Sequence, residues 1–214
     1  MLSVHVVDRT NRHFYEQAFE TYFRSRHDIY VREKGWRPES IDGREIDQFD
    51  TDKTTYFFGF EDGELIASAR LLPTSEPNLV SEFYPHMCER EGVPRKRDWA
   101  EWTRMYVVPQ RRKTGRRGPL FQISCAVMEF CVEEGVAYAG GIQEVYFLPM
   151  WRALGWRFKP MGLPQPVAGE LAVVAYLECT EAAVRSARRL IGSDRSLLVR
   201  RGAQRPFIER RPGA

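Results

Sequence analysis

Long apolar runs are missing from this chain. No stretch approaches the ~20 consecutive apolar residues that a helix needs to cross a bilayer, and Met1 to Arg12 alternates like a strand, without a charged start leading into an apolar block. The expectation is a cytoplasmic protein with no membrane span. Cysteine is scarce too. Cys88, Cys125, Cys131 and Cys179 are the only four, none in C-x-x-C spacing, and the four histidines do not cluster with them. Neither a disulfide framework nor a zinc site is expected, so these read as reduced, mostly buried thiols and the metal expectation is none. An excess of one charge is also lacking. Lys and Arg total 32 against 29 Asp and Glu, a net of +3, which is too little for a general nucleic-acid binder. No internal repeat or low-complexity segment is found.

What is present is an ordinary globular composition: 214 residues, 43% hydrophobic and 29% charged, enough for one core. Residues 2–8 read as a strand. Asn11 is placed to cap a helix running to about Lys34, with Phe19, Tyr22, Phe23 and Tyr30 on one face. Arg26 falls on that same apolar face, where a cation needs an anion. Residues 37–54 are polar and turn-rich, a long loop of the kind that carries function.

Asp62-Gly63 joins two strands, 55–61 and 64–72, as a hairpin, and in the second of them Arg70 shares a face with Ile66, Ser68 and Leu72. A β segment follows at 101–108, then a basic turn at 110–118. The remaining expected elements are a helix at 119–134, a strand at 137–142, a helix at 147–154, a strand at 171–178 and a helix at 180–191. The order is mixed α/β, one sheet flanked by helices. Residues 1–199 read as the domain, and 200–214, rich in Arg, Pro and Gly, as a mobile tail.

Seven residues resist a packing explanation: Arg26, Trp36, Asp47, Asp50, Arg70, Glu101 and Arg104. Burying the charged ones singly costs several kcal/mol each, so they are expected either as a mutually paired cluster or around a charged ligand. Glu101 and Arg104 are three residues apart, on opposite faces of a regular strand. A bulge is expected between them.

The series resembles the acyl-homoserine-lactone synthases, the LuxI-type autoinducer synthases of bacterial quorum sensing. Arg26, Tyr30 and Trp36 match the family's opening arginine, aromatic and tryptophan, with Tyr30 in place of the usual phenylalanine. Asp47 and Asp50, in Glu45-Ile-Asp-Gln-Phe-Asp-Thr51, look like its paired aspartates. Arg70, in Arg70-Leu-Leu-Pro-Thr74, looks like its strand arginine. Phe83 and Glu101-Trp-Thr-Arg104 are similar to its Phe and Glu-x-x-Arg elements. The match spans about residues 14–178 in family order.

That resemblance implies a GNAT-like single domain, α+β, with a central mixed, mostly antiparallel sheet flanked by helices. It implies an enzyme joining S-adenosyl-L-methionine to an acyl thioester, on coenzyme A or acyl carrier protein. Both are substrates, and no cofactor is implied. The amine attacks the thioester, and the methionine carboxylate then displaces methylthioadenosine to close the lactone.

Glu101 is the expected base, with Arg104 as the second catalytic residue. Arg26, Tyr30, Trp36, Asp47, Asp50, Arg70, Phe83 and Trp102 are the expected surface for S-adenosylmethionine, which needs anions and aromatic faces together. Arg70 and Arg104 either hold a carboxylate or carbonyl of the ligand or fix the Asp pair. Trp102 either narrows the acyl cavity or covers the adenine. Met105, Ile142, Tyr146 and Phe147 are candidates for an apolar acyl pocket, in a stretch that also offers Met128, Met150 and Trp151. Arg111, Arg112 and Lys113 are candidates for donor phosphates or an acidic carrier. Two alternatives stay open: a GNAT-like N-acyltransferase acting on another amine, and a non-catalytic acyl-carrier or ligand-binding module.

Overall fold

The computed structural model describes residues 1–112 and 115–208. In chain order the strands are β1 (Ser3–Val7), β2 (Thr55–Glu61), β3 (Glu64–Pro73), β4 (Trp99–Val107), β5 (Tyr138–Glu144), β6 (Phe158–Pro160), β7 (Gln165–Val167), β8 (Glu170–Glu178) and β9 (Leu198–Arg200). The α-helices are α1 (Glu16–Arg26), α2 (Leu79–Phe83), α3 (Pro119–Glu133), α4 (Leu148–Ala153) and α5 (Glu181–Ile191). The strands form one sheet in the order β6-β8-β5-β4-β3-β2-β1-β9, with β7 also on β8. Among the described residues only the β4–β5 and β1–β9 pairs are parallel. This is the mixed, mostly antiparallel sheet expected.

Turn chemistry sets the register. Asp62 and Gly63 both take positive φ, 53° and 82°, which matches the twist of a two-residue hairpin. Strand alternation then sends Phe57, Ala69, Leu71 and Trp102 into a core with α3 and α5, and Tyr56 and Phe58 to the opposite face with α1. Ile66 departs from the expected face. The β2–β3 register shifts at Gly59/Phe60, and this bulge turns Ile66 into the α3-side core, away from Arg70.

The expected helix 11–34 is three pieces: a 3₁₀ turn at Arg12–Phe14, α1, and a π-helix at His27–Glu33. Asn11 does not cap it. Its side chain accepts from Asp8 N–H (2.8 Å) and donates to Val6 and Arg201 carbonyls (3.0 Å each). In the π segment Ile29 and Tyr30 are both buried against the sheet, because the wider i→i+5 turn re-phases the apolar face. The three-residue strands β6, β7 and β9 and the five-residue α2 are too short to show a period in sequence.

Residues 200–208 are not a free tail. β9 adds a parallel edge to β1, Arg205 N–H reaches Asp8 at 3.0 Å, and Phe207, 2% exposed, packs edge-on against Phe130. One apolar ring outweighs the Arg-Pro-Gly composition that suggested mobility. Residues 209–214 lie outside the described residues. Cys88, Cys125 and Cys131 are buried and Cys179 half-buried.

Candidate active site

β4 and β5 pair at only three positions, Trp99–Glu101 against Tyr138–Gly140. Beyond them a cavity of about 560 Å³ occupies the notch between the two strands. Two local features open it. The β3–β4 register gains an extra β4 residue between Thr103 and Tyr106, with Arg104 at φ 51°, so the expected bulge is present. On the other strand, a Cβ on Gly140 would stand 2.1 Å from the Ala175 carbonyl oxygen, so only glycine lets β5 lie this close to β8.

The bulge decides which face receives each side chain. Glu101 and Thr103 stay on the α1–α2 face, and Arg104 joins them there, bonding to Glu45 and Asp47. Met105 is turned to the α3 side. The notch therefore has two chemically different ends. On the α1–α2 side it is walled by Tyr30, Trp36, Phe83 and Arg104. Trp36 stacks on Tyr30 at 5.7 Å, and the Arg104 guanidinium lies 5.1 Å from the Tyr30 ring centroid. On the α3 side it is walled by Trp102, Met105, Leu120, Phe147 and Trp151. Ile142 and Tyr146 line it from β5 and the turn that follows. Trp102 packs on Trp151 and Trp156, which places it at the apolar end.

Behind Arg104 sits a balanced buried network of three arginines and three carboxylates. Asp47 accepts from Arg70 Nη1 and Arg104 Nη2, both at 2.6 Å. Asp50 accepts from Arg26 Nη1 (2.9 Å), Arg70 Nη1 (3.1 Å) and the Tyr56 hydroxyl (3.1 Å). Glu45 accepts from Arg26 Nε (2.5 Å) and Arg104 Nη2 (2.8 Å). Burial alone would raise the pKa of Asp47, but Arg70 and Arg104 hold its carboxyl well below the usual range. Glu45 is likewise lowered against its burial by Arg104 and Arg26. Burial alone would lower Arg70, yet Asp47 and Asp50 keep it firmly charged.

Arg26, Asp47, Asp50 and Arg70, expected on the ligand surface, thus stand one layer behind the cavity wall. Of the network's arginines only Arg104 lines the cavity. Arg70 instead donates Nε to Thr103 (3.1 Å) and fixes the Asp pair.

Glu101 is 1% exposed and stands outside the arginine–carboxylate network. Its carboxylate accepts backbone N–H bonds from Val80 (2.7 Å) and Leu79 (3.0 Å) at the start of α2. Burial pushes its pKa up to about 7, against the lowering effect of those N–H groups. Like Asp47 and Arg70 it stands behind the cavity wall, where the strands part, one residue before Trp102 and paired across to Gly140, both of which line the cavity. A carboxyl poised near neutrality at the apex of a cleft suits general base work.

The rim divides the basic run. Arg112 lines the cavity and holds Glu33 with two bonds, 2.5 and 2.8 Å. Arg111 points elsewhere and pairs with Glu64 at 2.8 Å. Lys113 lies outside the described residues. Two further partners went unseen in the sequence. Glu45 completes the charge balance, and the one signal for it is its two-residue offset from Asp47. Lys34 bridges the notch to Glu144 on β5 at 2.8 Å, a pair 110 residues apart with no sequence signal.

The mixed, mostly antiparallel sheet flanked by helices is a GNAT-like fold. A solved structure described as an N-acetyltransferase from Lactobacillus plantarum shares this fold at a TM-score of 0.56 over 83% of this chain and 99% of its own, with 14% identity. A family model, autoinducer synthase, matches residues 10–187. The chain belongs to the autoinducer synthase family. It is 36% identical to an isovaleryl-homoserine lactone synthase of Bradyrhizobium diazoefficiens over 82% of this chain and 79% of that one. A structure of BjaI, a CoA-dependent acyl-homoserine lactone synthase, with SAM and isopentyl-CoA superposes at a TM-score of 0.90 with 32% identity over 97% of each chain. MesI, another CoA-dependent acyl-homoserine lactone synthase, superposes at 0.82 with 30% identity over 91% of this chain and 98% of its own.

Proposed function

We propose that this chain is an acyl-homoserine-lactone synthase that makes a quorum-sensing signal from S-adenosyl-L-methionine and an acyl-CoA. The observation that carries this is the single cavity passing through the sheet between β4 and β5, charged and aromatic at one end and apolar at the other. A sulfonium amino acid with an adenine ring suits the Tyr30, Trp36, Phe83 and Arg104 end, where its carboxylate meets the guanidinium and its rings meet aromatic faces. The acyl tail suits the Met105, Phe147 and Trp151 end. Coenzyme A is favoured over a carrier protein because BjaI, which superposes over nearly the whole chain, is CoA-dependent.

Glu101 takes a proton from the substrate ammonium, directly or through one water. The freed amine attacks the thioester carbonyl, the C–N bond forms, the C–S bond breaks, and the CoA thiolate leaves as the free thiol, taking up the second proton that the nitrogen sheds as it becomes an amide. The methionine carboxylate then attacks its own γ-carbon and the C–S⁺ bond breaks, so the sulfonium departs as neutral methylthioadenosine. Arg104 orients that carboxylate, and the Asp47–Arg70–Asp50–Arg26 layer keeps Arg104 in place. The scheme draws on two substrates and no resident cofactor, and use of these two metabolites supports a cytoplasmic enzyme. Among the described residues no helix is long and apolar enough to cross a membrane.

Incubation with S-adenosylmethionine and isovaleryl-CoA should release methylthioadenosine and free CoA in equal amounts, with an acyl-homoserine lactone seen by mass spectrometry. Acylation of another amine without methylthioadenosine would instead support the plain N-acyltransferase reading.

A further inference from the structure

We propose that Trp102 and Trp151, backed by Trp156, wall off the apolar end of the notch and restrict the enzyme to short acyl donors. This rests on the synthase reading above. Trp102 and Trp151 line the cavity, whereas Trp156 lies behind them in the core. The centroids of Trp102 and Trp151 are 5.7 Å apart, and Trp151 stacks on Trp156 at 5.5 Å and 11°. All three are buried, at 8%, 4% and 3% exposure.

Trp102 is held by packing, its Nε1 buried without a hydrogen-bond partner, whereas Trp151 and Trp156 are also held by hydrogen bonds. Trp151 Nε1 donates to Gln143 Oε1 on β5, and Trp156 Nε1 donates to the Ala183 carbonyl on α5 at 3.0 Å. Rotating either indole leaves a buried donor without its acceptor, which is unfavourable. Trp156 abuts Ala183 of α5, 5% exposed, inside the α3-side core cluster, so a chain that reaches the wall meets filled core. Overpacking such a core displaces neighbours from their rotamers. A chain of a few carbons ends at the rings, and each methylene beyond them must displace an indole.

The test is a competition in one tube between isovaleryl-CoA and decanoyl-CoA, reading the two lactones by mass spectrometry. Wild-type enzyme should favour the short donor by about 10²-fold or more in kcat/KM. Trp151→Leu and Trp102→Leu should each reduce that preference at least about tenfold, and Trp151→Phe, which keeps a ring, should reduce it less. The ratio does not depend on the folded fraction, so a variant that folds poorly still answers. Equal use of both donors by the wild type, or ratios in both leucine variants within threefold of wild type, would overturn the wall and leave the synthase reading intact. Lactone from neither donor would overturn both.

Discussion

Arg104, on the cavity wall, is held with Nη2 2.6 Å from Oδ2 of Asp47, a carboxylate whose side chain is only 2% exposed. The aspartate stands behind the cavity wall and bonds to the guanidinium that lines it. Asp47→Asn removes one charge from a balanced set and leaves Arg70 and Arg104 short of an anion. The expected result is a loss of about 3–5 kcal/mol of stability with kcat/KM lowered by about 10²-fold. Chemical denaturation and steady-state kinetics check the two together. Activity within threefold of wild type would remove Asp47 from the support of Arg104.

The same network sets the response to acid. Asp47 and Glu45 have folded-state pKa values below their ordinary ones, so their contribution to stability is fully present above about pH 4. It is lost as pH falls further through the folded values. Thermal melts should show Tm dropping below about pH 4, with a shallower drop in Asp47→Asn.

Glu101 titrates in the opposite sense. Raised to about 7, it is protonated and inactive as a base at lower pH, so kcat/KM should climb as pH rises through about 7. Glu101→Gln should fold, keep through its one amide oxygen only one of the two bonds from Leu79 and Val80 N–H, lower turnover about 10²-fold or more, and abolish that limb. A threefold effect or an unchanged limb would take Glu101 out of the mechanism.

Tyr30 carries a hydroxyl that the phenylalanine usual in the family lacks, and it donates to the carbonyl of Met105, just past the bulge, at 3.2 Å. Tyr30→Phe should cost about 1 kcal/mol of stability and change kcat/KM less than threefold, because the ring under Trp36 and Arg104 remains. A loss of a hundredfold would make the hydroxyl a participant in the chemistry.

Arg111 and Arg112 are adjacent in sequence but divided in space. Arg112→Glu should raise the KM for acyl-CoA several-fold more than that for S-adenosylmethionine, whereas Arg111→Glu, on the Glu64 side, should move neither. Matching effects from both would show that the rim does not discriminate.

The sequence pattern made the hairpin and the bulge legible, because Asp62-Gly63 and the Glu101–Arg104 spacing carry direct backbone consequences. The paired charges were legible as a set, since an arginine on an apolar helix face has to find an anion. Their layering was not. Whether Asp47 faces a ligand or Arg104 depends on a loop closing over the sheet, which no local spacing encodes. Glu45 was hidden among neighbouring acids, Ile66 was moved by one extra residue in β3, and Phe207 was masked by the arginines around it.

A crystal structure of the enzyme with S-adenosylmethionine and a non-reactive thioether analogue of isovaleryl-CoA tests the central claim most directly. The account predicts the adenosyl group against Trp36 and Phe83, the acyl group against Trp151, and the amine nitrogen beside the thioester position within the β4–β5 notch. Both ligands on one face of the sheet, or an amine remote from the notch, would contradict it.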